Sequence, residues 1–556
     1  MSHIDFYAVP NMSNQEPKQA ASVVPTSRST TPQSYKEESD VEAQNRCGIG
    51  SQANAEKLAP VATNKTVDFV PNDPENPFNW PNAKKYRACI LACAMTFIVQ
   101  INGTMMTSAA EQINESFHVS DEAFPHSYWP VLSWNLGGAA APLVGLPLME
   151  NFGVRYTYLG IYVVLIIFII PQAVAQNFAT LIVVRIITGS CTATLANITS
   201  GIVSDVWYAG LTKSFFTSMY IFALLSGLSM GPVFGSLVVR YTTWRWYVKI
   251  PHSLHRNPLL TTPRIFIGQI IFYAVLLPIL FFALPEVRPD VILHKRAAKI
   301  RRETGLNVHT AQEKTKTSIS DILTETLIRP TRLLFTEGVL ISLGMWSAFV
   351  VGIAFMFTQS IMQVYSGLYG WTFFGTGMVQ SAIVVGELVG VFAQLAQDRV
   401  YFASAKNNTE DPGHPLPEAR LYLSIPASFV GLAGGLFFFA WTSFESVPWI
   451  VPSIALGFVG FGMFLCTTAL TTYIVDAYAK YAASSVAGVA FLENFMAAFL
   501  PLATQSMYRT LGFNWASSLL GFIALFLSCI PVVLIRYGRK LRERSPFMEV
   551  AGHNKE

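Results

Sequence analysis

Apolar runs of helical length recur along this chain from Tyr86 onward, each bounded by a short polar stretch. A hydrocarbon core ~30 Å thick is crossed by about 20 helical residues, so the length of the runs is that of a membrane crossing. Six runs precede residue 285, at roughly 86–108, 128–149, 156–175, 178–203, 214–238 and 265–284. Six more follow a charged gap, at roughly 336–357, 372–396, 420–441, 449–475, 483–507 and 514–537. Numbered 1 to 12 in chain order, these segments predict an all-α membrane protein with twelve transmembrane helices in two six-helix bundles. The implied organisation is a disordered cytosolic tail over 1–80, a bundle over 81–285, a cytosolic linker over 286–335, a second bundle over 336–540 and a cytosolic tail over 541–556.

The polar positions between the runs orient them, because Lys and Arg in short loops are retained on the cytoplasmic side. One face collects Lys84, Lys85, Arg87, Arg155, Lys213, the linker, Arg399, Lys406, Lys480 and the run from Arg536 to Arg544. The first loop on the opposite face, Ala109 to Ser127, carries Glu111, Glu115, Asp121 and Glu122 and neither Lys nor Arg. Both termini are therefore expected in the cytoplasm, with the plasma membrane as the expected location. That loop also holds Asn114-Glu115-Ser116, which makes Asn114 the glycosylation candidate. The loop between segments 5 and 6 breaks the rule, since Lys249, Arg256 and Arg264 fall on the outer side.

Composition agrees with the pattern: 52% hydrophobic residues, 13% charged residues and a mean hydropathy of +0.39 leave a soluble fold nowhere to put its apolar surface. The net charge of +4 comes from basic residues that flank apolar runs, so membrane lipids are expected partners and nucleic acid is not. In the linker, His294 to Arg302 has a spacing that suits a helix on an anionic leaflet, or a solvated helix face that anchors orientation. The six cysteines form no disulfide framework or zinc pattern, and Cys89 and Cys93 are read as small core residues. No metal or cofactor is expected. The first ~80 residues lack the apolar stretch of a secretory signal.

Ionisable residues at membrane depth are costly and need a partner, a wet cavity or a function. Glu387 is central in segment 8, between Gly386 and Gly390, which allow close helix approach. Glu493 is central in segment 11, with Asn494 beside it. Each is either a proton-coupling carboxyl or a hydrogen-bonded structural acid. Arg185 in segment 4 stays charged, must find a carboxylate, a carbonyl or a substrate, and is read as functional. Glu150, Asp205, Glu337 and Asp476 fall near segment ends, where capping or snorkelling accounts for them. Pro232 in segment 5, among Gly227, Gly231 and Gly235, frees a carbonyl that a neighbouring helix must satisfy, and marks a packing groove that can serve as a hinge and seal. Asn102, Trp134, Asn135, Trp346 and Asn494 are the candidates for lining a substrate cavity.

Taken together, Asp73-Pro-Glu-Asn-Pro77-Phe-Asn-Trp80, Arg185 to Gly189, Gly231-Pro232-x-x-Gly235 and Pro285-Glu-Val-Arg288 resemble the fungal drug:proton antiporter branch of the major facilitator superfamily. Pro417-Glu-Ala-Arg-Leu421, Asp476-Ala-Tyr-Ala-Lys480 and Gly538-Arg-x-x-Arg542-x-x-Ser545-Pro-Phe547 extend the resemblance from about residue 70 to 548. It implies the major facilitator fold, no enzymatic activity, and export of drugs, toxins, polyamines or secondary metabolites in exchange for protons. Arg185, Gly189, Gly231, Pro232 and Gly235 carry over, the last three as the helix-5 antiporter motif. Two departures stand out. Members normally have an acidic residue followed by Gly-Arg after segment 2, whereas here Glu150-Asn-Phe-Gly153-Val154-Arg155 displaces the arginine by one. Members also run from Trp-Arg-Trp straight into segment 6, whereas here the 18 residues from Tyr247 to Arg264 intervene. Their ~54 codon nucleotides match a short intron, and we read them as one retained in the deduced coding sequence; a spliced transcript encoding all 18 refutes this.

The expected mechanism is alternating access around a central cavity, with Glu387 or Glu493 carrying the proton and Arg185 biasing the acids or holding substrate. Proton-coupled nutrient uptake and a non-transporting receptor remain as alternatives. The substrate and the oligomeric state are not legible.

Overall fold

The computed structural model describes residues 67–119, 126–241, 263–305, 308–310, 328–408, 413 and 415–548. The tail before residue 67 lies outside them, as does the suspected intron over 247–264 except for its last two residues, Pro263 and Arg264, which open a helix. The N-terminal helices are α1 (Asn82–Thr104), α2 (Ala110–Phe117), α3 (Trp129–Phe152), α4 (Val154–Ala173), α5 (Phe178–Val206), α6 (Leu211–Tyr241) and α7 (Pro263–Ala283). The linker holds α8 (Pro289–Thr304) and α9 (Arg329–Thr336). Beyond it come α10 (Gly338–Tyr369), α11 (Phe373–Val379), α12 (Ser381–Ala403), α13 (Gly435–Thr442), α14 (Ile450–Ala477), α15 (Ala482–Phe499), α16 (Thr504–Leu527) and α17 (Cys529–Arg544).

Nine helical stretches among the described residues are long and apolar enough to cross a membrane, against the twelve expected. Segments 11 and 12 merge into one run, Ala482–Arg544, and segment 6 keeps only the shorter apolar stretch Gly268–Ala283. Segment 2 is α3, 24 residues long but outside that nine. The merged run is still broken inside, because Gly512 takes a left-handed φ of 76° that interrupts the helical backbone. Segment 7 is longer than its apolar run: α10 continues to Tyr369, 32 residues or about 48 Å. Nothing stops it until Gly370, whose φ of 63° forms a left-handed cap. Segment 9 passes, after two short helical turns, through a π-helical stretch, Ala427–Gly434, packed around Gly431 and Gly462, which a side chain would force apart.

One buried apolar cluster draws on residues 80–287. Another draws on residues 333–548 and reaches the first set through Cys93 of α1 and Tyr220, Ile221, Ala223 and Leu225 of α6. A third, smaller cluster takes Tyr128, Val131, Leu132, Trp134 and Leu228 from the N-terminal set and Val351, Phe355, Ala497 and Ala498 from the C-terminal set.

The basic face is tied down by ion pairs and hydrogen bonds, several of whose members belong to the motifs that carry the resemblance. Glu286 accepts the backbone N–H groups of Val154 (3.0 Å) and Arg155 (3.1 Å), which caps the start of α4. Arg155 turns its guanidinium to the Phe281 carbonyl, 2.8 Å, so the displaced arginine ties α4 to α7. In the C-terminal set Glu418 pairs with Arg542, joining the segment before the π-helical stretch to α17. Asp205 meets Arg288 at 3.5 Å and Glu337 accepts from the Ser545 hydroxyl at 2.7 Å, so two of the acids at segment ends hold connections together.

The linker basic cluster forms α8, and Arg296 leaves solvent to meet the segment before α1. Its guanidinium bonds Asp73 Oδ1 at 3.0 Å and Glu75 Oε2 at 2.7 Å, and also pairs with Asp73 Oδ2. These bonds hold the Asp73 carboxyl below its ordinary value of 3.8. A carboxylate with a depressed folded value stabilises the fold above its ordinary value and loses that contribution as pH falls through the folded one. Asp73→Asn is expected to cost on the order of 1–2 kcal/mol near neutrality, discounted because Glu75 remains and Arg296 is partly solvated. The difference in thermal midpoint between wild type and variant should vanish in acid below the ordinary carboxylate range; identical midpoints at neutral pH would remove this bond from the stability of the linker.

Candidate functional site

The site begins with the proline in α6. Pro232 has no N–H, so the Leu228 carbonyl one turn earlier loses its helical partner. Thr104 at the end of α1 supplies the replacement, its hydroxyl donating to that carbonyl at 2.7 Å. Ser108 donates to the Pro232 carbonyl at 2.9 Å. These bonds form because the backbones lie close: a Cβ at Gly227 would stand 2.7 Å from the Phe97 carbonyl and from Gln100 Cβ, and one at Gly231 or Gly235 would collide with Thr104 or Met105. Three glycines four residues apart thus give α6 a flat face against α1.

The other face of α6 meets the C-terminal set. A Cβ at Gly377 of α11 would lie 2.9 Å from the Pro232 carbonyl, and the Ser229 hydroxyl donates to Glu387 Oε1 of α12 at 3.1 Å. Glu387 is fully buried and its Oε2 has no partner. Gly386 and Gly390 press α12 onto α14, where side chains would strike the Gly457 backbone and Phe464. Glu387 therefore sits in the seam between the two sets of helices, beside the glycine–proline face.

A separate cavity of about 150 Å³ lies between the sets. Trp134, Asn135, Tyr220, Phe355, Glu493 and Asn494 are among its lining residues. Trp134 and Phe355 face each other from opposite sets, with ring centroids 6.2 Å apart. Beside them, the Tyr128 hydroxyl donates to the Ala497 carbonyl at 2.8 Å and closes the sets together. Asn494 is held by its own helix, donating to Ala490 O at 2.8 Å, and lies against Gly138 of α3. Ser347 of α10 donates to Glu493 Oε1.

The structure therefore brings Trp134, Asn135, Glu493 and Asn494 together and leaves the other candidates elsewhere. Trp346 is fully buried in the C-terminal core and absent from the cavity wall, because its helix turns that side toward the core. Arg185 is fully buried and finds carbonyls, not acids: Nε reaches Pro130 O at 2.9 Å, Nη2 reaches Gly103 O at 2.8 Å, and Nη1 reaches both Asn102 O and Asn102 Oδ1 at 3.0 Å. Asn102 is consumed by this arrangement, its amide donating to Gln269 Oε1 at 3.0 Å, and lines no part of the cavity. Gly189 meets the Trp134 carbonyl and brings α5 against α3. Asn114 lies within α2, half-buried, and lines a second cavity of about 660 Å³ with His118, Gln359 and Gln363.

Sequence reasoning missed Ser229, whose signal is its place one turn before Pro232 on the opposite side from the glycines. It also missed Arg420, which bonds Asp476 Oδ2 at 2.9 Å, Asp398 Oδ1 at 3.3 Å and, across the sets, Ser214 Oγ at 3.2 Å. Arg420 was visible only as part of a family motif, and its partners come from three distant stretches of chain.

Comparison with known proteins follows the same lines. Residues 92–501 match the Major Facilitator Superfamily. The MFS-type efflux pump MFS2 of Trichophyton rubrum is 31% identical over 86% of this chain and 77% of its own length. The MFS transporter cpaT of Aspergillus oryzae is 30% identical over 89% of this chain and 95% of its own. Among solved structures, the proton:xylose symporter XylE has a TM-score of 0.55 at 15% identity, over 82% of this chain and 96% of its own. The human organic anion transporter MFSD10 has a TM-score of 0.52 at 14% identity, over 80% and 99%.

Proposed function

The chain belongs to the Major Facilitator Superfamily, a family of multi-pass membrane transporters and not of enzymes, and from that premise we propose that it exports small amphipathic organic compounds in exchange for protons. The observation that carries the reading is the cavity between the two sets of helices, closed by contacts that cross from one set to the other. At about 150 Å³ it is smaller than the roughly 300–1,000 Å³ of a drug-sized site. Loading and release require the sets to part, which is alternating access. Aromatic and amide side chains on its wall suit an amphipathic ligand.

Export is favoured over uptake by the glycine–proline face of α6 and by the relatives named as efflux pumps. The layout we propose is the twelve-helix one, with bundles over 81–285 and 336–540; it counts α3 and α7 as crossings and divides the run Ala482–Arg544 at the Gly512 break. We assign the basic face, and with it both termini, to the cytoplasmic side of the plasma membrane, from the bias of Lys and Arg in the loops. Glu387 is our choice for the proton, because it alone of the two acids spans the seam that must open and close. In inside-out vesicles with acid imposed inside, the purified, reconstituted chain should accumulate substrate as protons leave. Accumulation only under the reverse gradient would mean uptake, and ligand binding without movement would mean a receptor.

A further inference from the structure

We propose that Glu493 is the specificity-determining residue of this cavity and that it selects organic cations with a flat aromatic body; the inference rests on the transport reading above. Among the described residues the wall contains one carboxyl, Glu493, and neither Lys, Arg nor His. Its bonded partner, Ser347 of α10, is neutral, and so are the polar residues that share the wall: Tyr220 of α6, Asn135 of α3, Asn197 of α5, Thr467 of α14 and Gln100 of α1. Arg185 is absent from the wall, its guanidinium used up on the carbonyls of Pro130, Asn102 and Gly103. Glu493 is half-buried, and a carboxylate that faces apolar and neutral groups is costly until a proton or a cation balances it. Among the described residues the wall supplies no cation, which leaves a proton or a cationic ligand to balance it, and we assign the role to the ligand.

The rest of the wall fits the same ligand. Ser347 donates to Oε1, and Glu493 lines the cavity. Trp134 and Phe355 stand across from each other and Tyr220 adds a third ring, and aromatic faces attract a cation through their quadrupole. An aromatic cation thus meets a charge partner and stacking surfaces together, whereas its neutral analogue meets the surfaces alone.

The test compares N-methylacridinium with acridine, the same ring system with and without fixed charge, at a mildly alkaline pH where acridine is neutral. Binding of each is measured to the purified full chain. Wild type should prefer the cation by about tenfold, which corresponds to about 1.4 kcal/mol. Glu493→Gln should bring the two affinities together by weakening the cation and sparing acridine. Glu493→Asp should restore part of the preference. No preference in the wild type, binding of neither probe, or equal loss of both in Glu493→Gln overturns the proposal. A chain that exports under a proton gradient without preferring the cation removes this inference alone; one that prefers the cation and moves nothing removes the export reading alone.

Discussion

Glu387→Gln is expected to lower export driven by a proton gradient by at least about tenfold while leaving the protein folded. Glutamine has the same shape, and its amide oxygen can accept the Ser229 hydroxyl as Glu387 Oε1 does at 3.1 Å. The seam packing through Gly386 and Gly390 is untouched. What is lost is the ability to take and give a proton. A charged carboxylate sealed in the seam, with only one serine donor and an unpartnered Oε2, costs several kcal/mol. Closing the seam therefore goes with the protonated acid and opening lets the proton go. Such a preference is sufficient to shift a two-state equilibrium by orders of magnitude. The measurement is gradient-driven export set against substrate exchange without a gradient, in the same vesicles. Exchange should survive and gradient-driven export should fall; coupling equal to wild type would take Glu387 out of the proton path.

How far the chain could be read without coordinates follows from which interactions are local. Helix positions were legible because each apolar run has the length its membrane crossing demands; α4, α5 and α14 begin and end within a few residues of the expected runs. Helix ends beyond the apolar run were not. The polar residues from Thr358 to Tyr369 carry no stop signal before Gly370, so α10 simply continues. In the site, Pro232 announced a freed carbonyl, yet the partner that satisfies it, Thr104, is 124 residues away from Leu228 in sequence. The two acids looked alike along the chain. Their difference, one in a seam and one in a cavity wall, depends on which helices face them. Trp346 and Asn102 had the right chemistry for a cavity, but the rotation of their helices turns them to core and to Arg185.

Arg185→Ala is expected to be the most destabilising single change considered. A buried arginine had to find a carboxylate, a carbonyl or a substrate, and the structure selects the second: its four bonds end on three backbone carbonyls and one side-chain amide oxygen. Those acceptors lie at the end of α1 and at the start of α3, so one side chain on α5 clamps two other helices. Removing it leaves several buried acceptors without donors, each worth about 1–3 kcal/mol. The summed loss, on the order of 5 kcal/mol, is comparable with the whole stability of a typical domain. The variant should reach the membrane poorly and, once solubilised, aggregate at temperatures the wild type survives. Arg185→Lys should recover only a minor part, because one ammonium cannot span acceptors that a planar fork reaches from several nitrogens. A residue that held substrate would behave differently: both variants would keep the wild-type thermal midpoint and lose affinity. The midpoint measured without ligand therefore decides between clamp and binding group, and a wild-type value in Arg185→Ala would overturn the clamp.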